Sequence, residues 1–508
     1  MKIQTSNEIS KDNSNHTLIA GIYKERLTEK GISEDVGLLG KEVADLASKV
    51  LSEEKYFKGN PGETLSIRLD NSSPAKKLIL VGLGNNEEKF DSSVLREATT
   101  SAIKKAEAEH SESVSTVLHL NAPDKLHIAD ATQSIIEASN FALYKFNKYK
   151  SGSGEQSINT LTFINPEDYG GYDEDTTKGI QLGIVTSGAQ ELARNIASEP
   201  SDSMPPEKVA DITTQIAKAN DLEIEILDKG NCKRLGMGSF LAVAQGSNNP
   251  PQFVVMRYIP KGTPKEKIVI IGKGVTFDSG GLSIKTADGM ETMKCDKSGA
   301  AAVIGVMSTM KALNPRSAIT MIAPLVENMT GGSAIKPGAI VKAMNGKTIE
   351  ILNTDAEGRL ILADAIAYAV LKEKPDKIID MATLTGACVV ALGDDIAGVM
   401  SNDDELAKLI VQSGYAVGEP MWHLPVSKKH RESIKSKVAD MKNMGSKGQA
   451  GAQAGYALLE QFVKNPATPE APDIPLGHID IAGPAWPKSD PWPTGFGTRT
   501  LIHLITNS

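Results

Sequence analysis

Residues 268–285 read IVIIGKGVTFDSGGLSIK. The apolar run Ile268–Gly272 is bounded by turn residues and predicts a buried strand. It feeds a loop that carries Lys273, Asp278, Gly280, Gly281 and Lys285, where glycine gives the backbone room for close approach. Charged side chains in a glycine-rich loop at a strand end are what an α/β sheet offers as a site. The GxG here, and the one at Gly82–Gly84, complete neither GxGxxG nor GxxxxGK[ST], so a nucleotide loop is disfavoured.

Working outward, strands are expected at 222–227, 252–258, 318–323 and 377–381, several followed by glycine-rich loops. Toward the N-terminus, Lys77–Gly84 (KLILVGLG), Val114–Leu120 and Thr160–Ile164 read as strands. They alternate with helices at Asp91–Glu109 and Ala129–Lys148, which argues for a parallel sheet. Turn-rich stretches follow at 150–155 and 165–175, and then a helix from about Thr177 to Ala197 that stops before Pro200. The fold class is therefore α/β with two domains. A smaller N-terminal α/β domain covers 1–170, a connecting helix and linker 171–205, and a larger C-terminal α/β/α domain with a mixed central sheet 206–508.

Bulk properties agree with this. A chain of 508 residues is too long for one ordinary domain, and 40% apolar and 23% charged residues are ordinary for a globular enzyme. Three dispersed cysteines, Cys232, Cys295 and Cys388, suit neither a disulfide framework nor a zinc finger and point to a reducing, cytoplasmic compartment. The polar N-terminus is not a secretory signal, and no run of about 18 apolar residues is present to span a membrane. A net charge of −8 argues against a nucleic-acid partner, and the basic segment Lys428–Lys437 reads as a solvated helix face.

Two further segments carry chemistry. In Met293–Ala302 (MKCDKSGAAA), Asp296 precedes a small-residue helix, where it could be a cap. In Asn353–Leu360 (NTDAEGRL), Asp355 and Glu357 are two apart and would point the same way in an extended stretch. Two acids converging beside the apolar run RLILADAIAYAV raise each other's pKa unless a cation holds them. Together Asp278, Asp296, Asp355 and Glu357 suit a pair of divalent cations, and no HExxH motif offers the single-zinc alternative. His478, in GHIDIAGPAW, reads as structural.

These motifs resemble those of the leucyl aminopeptidases, also called cytosol aminopeptidases. The resemblance covers the second half of the chain. It includes GKGVTFDSGGLSIK, MKCDKSGAAA, ENMTGGSAIKPG at 327–338, NGKTIEILNTDAEGRLILADA at 345–365, ATLTGA at 382–387, HIDIAGPAW and TGFGTRTL. It implies that residues 206–508 form a catalytic metallopeptidase domain with two divalent metal ions, Mn or Zn. Lys273, Asp278, Asp296 and Glu357 would bind one ion and Asp278, Asp355 and Glu357 the other, with Lys273 a neutral ligand. Lys285 would stabilise the oxyanion, Arg359 would anchor a bicarbonate acting as general base, and Met293 and Thr383 would line the pocket for the first side chain. Lys273, Asp278, Lys285, Asp296 and Asp355 would also meet the substrate.

The implied reaction is removal of N-terminal residues, leucine and other apolar ones preferred, from peptides with a free N-terminus. The attacking group would be a bridging metal-bound hydroxide, and the active form a homohexamer. The sequence departs from the family at Lys297–Ser298, where Met-Gly is usual, at PGAI (337–340) and at AGAQAGYALLEQF, which leaves side-chain preference open. Two rivals differ in class. One is a DNA-binding or regulatory protein on the same fold, which the acidic charge disfavours. The other is a two-metal phosphatase, which would cleave phosphate esters and spare amino-acyl amides.

Overall fold

The computed structural model describes residues 1–9, 16–54, 56–70, 73, 75–85, 92–121, 126–152, 158–166 and 172–507. Parts of the turn-rich stretches at 150–155 and 165–175, and the first residue of the expected helix at Asp91, lie outside them. The chain divides into two compact units, Met1–Gly188 with Ala416–Gly418, and Ala189–Tyr415 with Glu419–Ser508. The helix after the turn-rich stretch runs Tyr172–Ser198, so it begins before the expected Thr177.

The first unit holds β1 (Lys2–Ser6), β2 (His16–Ile22), β3 (Thr64–Arg68), β4 (Lys77–Gly82), β5 (Ser113–Thr116) and β6 (Thr160–Ile164). They form one sheet in the order β1-β6-β5-β2-β4-β3, parallel except for β3. Alternate residues of its strands enter two cores. Ile19, Ile79 and Val81 pack with Leu95, Ala102 and Ile135 from the helices Ser92–Ala108 and Ile128–Leu143, while Leu18, Leu78 and Leu80 pack with Ile32, Val43 and Ala47. Burial on both faces is why β4 reads as a continuous apolar run. The Gly82–Gly84 motif has a packing explanation, since a Cβ on Gly82 would lie 2.1 Å from the Asn60 carbonyl oxygen.

The second unit holds β7 (Glu223–Leu227), β8 (Gln252–Tyr258), β9 (Lys267–Gly272), β10 (Gly274–Asp278), β11 (Ala318–Asn328), β12 (Ala339–Lys342), β13 (Thr348–Ile351), β14 (Lys377–Ala382), β15 (Ala397–Ser401), β16 (Met421–His423), β17 (Met441–Lys442) and β18 (Leu476–Asp480). Its main sheet is mixed, in the order β16-β15-β18-β14-β9-β11-β8-β7, with β10 also paired to β11. Within it β9 is parallel to β11 and β14, and β14 to β18, while β8 is antiparallel to β11. Ile268 and Ile270 face a core with the helices Pro206–Ala219, Ser298–Met307 and Thr498–Asn507. Val269 and Ile271 face a second core with Gly358–Tyr368 and Gly451–Leu459. The arrangement is helix, sheet, helix.

The stretch expected to be loop after β9 is partly strand. Gly274–Asp278 pairs in parallel with Leu325–Asn328. Gly274 permits this, because a Cβ there would lie 2.6 Å from the Leu325 side chain and 2.9 Å from the Pro324 carbonyl oxygen. Among the described residues, no helix is long and apolar enough to cross a membrane.

Candidate metal centre

Four segments meet at the ends of β9, β10 and β14. Lys273 follows β9, and Asp278 ends β10 beside Asn328, its register partner on β11. Asp296 sits in a short 3-10 turn, Met293–Lys297, before the helix Ser298–Met307. Its carboxylate does not cap that helix. It accepts the Thr383 hydroxyl at 2.6 Å and lies 2.7 Å from Lys273 Nζ. Asp355 and Glu357 converge through a turn rather than an extended stretch, since Glu357 already has helical backbone (φ −83°, ψ −33°) as it enters Gly358–Tyr368.

Carboxylate oxygens of Asp278, Asp355 and Glu357 lie within 4.8 Å of one another. Two amines are threaded among them. Lys273 Nζ is 2.7 Å from Asp296, 2.8 Å from Glu357 and 2.8 Å from the Thr383 carbonyl oxygen to which it donates. Lys285 Nζ is 2.8 Å from Asp278 and 2.5 Å from Asp355.

Glycines make this crowding possible. Gly280 (φ +84°) and Gly281 (φ +64°) turn the chain under Asp278, and a Cβ on Gly280 would come 2.9 Å from Asp355 Oδ1. Thr354 ties the two loops together. Its hydroxyl donates to the Gly280 carbonyl at 2.6 Å and accepts the Ser283 N–H at 2.8 Å.

The electrostatics follow from burial. Desolvation, with the neighbouring Asp278, pushes the Glu357 carboxyl up to about 8, against the pull of Lys273. Desolvation raises Asp296 to about 6, with Lys273 opposing and Asp278 adding, and it raises Asp355 as well. Burial works against the charge on Lys273, but Asp296, Glu357 and Asp278 outweigh it and hold its amine above the ordinary lysine value. Asp278 likewise outweighs burial at Lys285. Within the chain alone, then, Lys273 is an ammonium; a neutral, ligating amine requires cations to take over its role of balancing the carboxylates.

The donor set fits divalent cations. Asp296 Oδ2 and Glu357 Oε2 are buried without a hydrogen-bond partner; Glu357 belongs to the cluster, and Asp296 is joined to it through Lys273. Buried carboxylate oxygens of this kind call for a counter-charge, and hard oxygen donors are what Mn, Zn or Mg accept.

Arg359 and Thr383 border the cluster, and Met293 opens the 3-10 turn that carries Asp296. Arg359 is buried in the first turn after Glu357; its Nη1 donates to the Asn443 carbonyl at 2.9 Å, and its Nε has no partner. Burial lowers its pKa below the usual guanidinium value, with Glu357 and Asp480 opposing. Met293 and Thr383 are half-buried. His478 lies away in the core, its Nδ1 2.6 Å from Asp380 Oδ1. The basic segment is a short exposed helix, Lys428–Ser433, whose Arg431 pairs with Glu460. A separate cleft of about 590 Å³, lined in part by Phe277, Lys294 and Glu327, contains none of the expected ligands.

Three buried residues escaped the sequence reading. Asn328 Nδ2 donates to Asp278 Oδ1 at 2.8 Å and to the Thr354 carbonyl at 3.0 Å. Asn443 accepts the Leu352 N–H at 2.9 Å and donates to the Asn353 carbonyl at 2.6 Å. Asp480 receives N–H groups of the turn after β14. Asn328 and Asp480 stand inside the motifs ENMTGG and HIDIAG, but nothing in their spacing marks them as supports.

Comparison with known proteins agrees with this geometry. The model of the cytosol aminopeptidase family's catalytic domain matches residues 191–502, and that of its N-terminal domain residues 24–153. The probable cytosol aminopeptidase of Alkaliphilus oremlandii is 39% identical over 99% of both chains, and that of a Cyanothece species 37% over the full length of both. Among solved structures, a mutant of tomato leucine aminopeptidase superposes with a TM-score of 0.86 at 30% identity, covering 100% of this chain and 97% of that one. The bottromycin maturation enzyme BotP, also solved in complex with Mn, gives a TM-score of 0.82 over 97% of this chain and 99% of its own, at 26% identity for the Mn complex. Matches of this length in both domains, around a buried carboxylate cluster, show that the chain belongs to the cytosol aminopeptidase family and is a metal-dependent aminopeptidase.

Proposed function

We propose that Lys273, Asp278, Asp296 and Glu357 hold one divalent ion and Asp278, Asp355 and Glu357 a second, Mn or Zn, and that the site removes leucine and other apolar residues from the N-termini of peptides. The observation that carries this is the convergence of Asp278, Asp355 and Glu357 within 4.8 Å beside partnerless oxygens of Asp296 and Glu357. When bound, the ions supply Lewis acidity, lowering the pKa of water and holding the free α-amine.

The chain's own residues do the rest. Lys285, whose amine Asp278 keeps charged, donates to the scissile carbonyl oxygen as negative charge develops there. Arg359, with Nε unengaged, would hold a planar bicarbonate through its guanidinium fork, and that anion would supply a general base beside the scissile bond. Met293 and Thr383 border the pocket for the first side chain, and these residues together with Lys273, Asp278, Asp296 and Asp355 contact the substrate. We propose the division read from the sequence: an N-terminal domain to 170, a connecting segment 171–205 and a catalytic domain 206–508. Matches at 24–153 and 191–502 support the order of these parts. We further assign a cytoplasmic, homohexameric enzyme, on the strength of the family likeness.

The test is hydrolysis of a leucyl amide and its N-acetylated counterpart by metal-stripped protein, by protein supplied with Mn or Zn, and by Asp355→Ala. Metal-dependent cleavage of the free-amine substrate alone, lost in the variant, is the expected result. Cleavage of the acetylated substrate at a similar rate would refute anchoring through the α-amine.

A further inference from the structure

Asp480 ends β18, opposite Ala382 of β14, and is fully buried. Its carboxylate is wrapped by one turn of chain. Oδ1 accepts the N–H groups of Leu384 at 3.1 Å, Thr385 at 3.4 Å and Ala482 at 3.2 Å, and Oδ2 accepts the Thr385 hydroxyl at 2.7 Å. Converging main-chain N–H groups make a concavity suited to an anion, and here the anion is part of the protein.

The residue immediately before this turn is Thr383. Its carbonyl accepts Lys273 Nζ at 2.8 Å, and its hydroxyl donates to Asp296 Oδ1 at 2.6 Å. One threonine thus touches two of the expected ligands of the same ion, through two different atoms. Its main chain is fixed on one side by β14 and on the other by Asp480.

We propose that Asp480 is a positioning residue of the metal centre: by fixing the Leu384–Thr385 turn, it sets where Thr383 holds Lys273 and Asp296. The proposal rests on the reading of Lys273 and Asp296 as ligands. Removing the Asp480 charge loosens the turn, Thr383 shifts, and the two ligands lose their common support. Asp278, held by Asn328 and the Gly280 N–H, is left in place, as is Asp355. The effect is therefore directed at one ion and not at both.

The test uses the full-length protein with Mn²⁺ as the probe, comparing wild type with D480N, T385V and T385S. Mn²⁺ binding is followed by isothermal titration calorimetry, and thermal melting is recorded in parallel. Positioning predicts that D480N and T385V bind one ion about 10- to 100-fold more weakly, the usual consequence of losing a group that orients a metal ligand. The other ion binds as in wild type, and T385S, which keeps the hydroxyl, binds both normally. A merely structural role lowers the melting temperature and leaves both affinities at wild-type values, which overturns the proposal. Should D480N fail to fold, the T385V and T385S pair decides on the same criteria. Wild-type protein that binds no Mn²⁺ overturns the ligand assignment itself. Wild-type protein that binds two ions, with variants that bind them equally well, overturns only the role of Asp480.

Discussion

Gly358 begins the helix that follows Glu357, a place where alanine ordinarily stabilises. Here a methyl group would lie 2.7 Å from Lys273 Cε, 2.9 Å from its Nζ and 3.0 Å from Leu384 Cδ1. Relaxed contacts between such atoms are about 3.5–4 Å, so the end of the lysine must retreat by roughly 1 Å. For stability the cost is small. Helix propensity favours Ala over Gly by about 1 kcal/mol, and overpacking against a flexible side-chain end costs about 1–3 kcal/mol, for a net loss of at most about 2 kcal/mol. For catalysis the cost is larger, because the displaced atom is the amine that meets Asp296, Glu357 and the Thr383 carbonyl. A misplacement of about 1 Å at a reacting centre costs about 100-fold in rate, close to 2.7 kcal/mol. Gly358→Ala is therefore expected to melt near the wild type while losing about two orders of magnitude in kcat/KM on leucine p-nitroanilide with saturating Mn. A kcat/KM within about threefold of wild type would refute the claim that this glycine exists to make room for Lys273.

Two further results are expected. Asp364 is fully buried, accepts the backbone N–H groups of Phe240 and Met344, and is raised by burial to about 7. A carboxyl whose folded pKa is raised contributes stability below its unfolded value near 4, and that contribution is lost as pH rises through 7. Urea unfolding at pH 5 and pH 8 should thus show the stability of wild type relative to Asp364→Asn falling with pH; a constant difference would contradict the burial argument. All three cysteines are buried, and desolvation pushes Cys232 and Cys388 up to about 12. Iodoacetamide at pH 7.5 should leave native protein unmodified by mass and fully active, and label it in urea; rapid native labelling would contradict the buried placement.

What the sequence made legible follows burial. KIVIIG and KIIDMA read as strands because both faces of β9 and β14 are covered, leaving no polar alternation. β10 was hidden: GVTFD opens on a glycine and ends on an acid, and its strand character comes from β11, fifty residues away in the register Asp278–Asn328. Val114–Leu120 reads longer than the strand, because the apolar Val117 and Leu118 continue into the core after β5 ends at Thr116, the Val117 N–H still reaching the Ile19 carbonyl of β2. At the site, acids and lysines declared themselves by type and by motif. Their supports did not. Asn443 and Asp480 act through main-chain groups of segments some 90 residues distant, and hydrogen bonds of that kind leave no periodicity to read. Asp355 and Glu357 converge through a turn and a helix start, not through the extended chain that their spacing suggests.

Ile268, Val269, Ile270 and Ile271 are each at most 1% exposed and are shared alternately between two cores. For anyone who wishes to retool what this enzyme accepts, that strand has no idle face. A library spread over 268–271 would return mostly unfolded chains, each truncation there costing on the order of 1–4 kcal/mol. Slack exists elsewhere, at half-buried Met293 and at half-buried Gln453 near the start of the helix Gly451–Leu459. Evolvability in this molecule is therefore unevenly distributed: the chassis is fixed, and change must be sought on side chains that neither fill the two cores nor hold the carboxylates and lysines of the site.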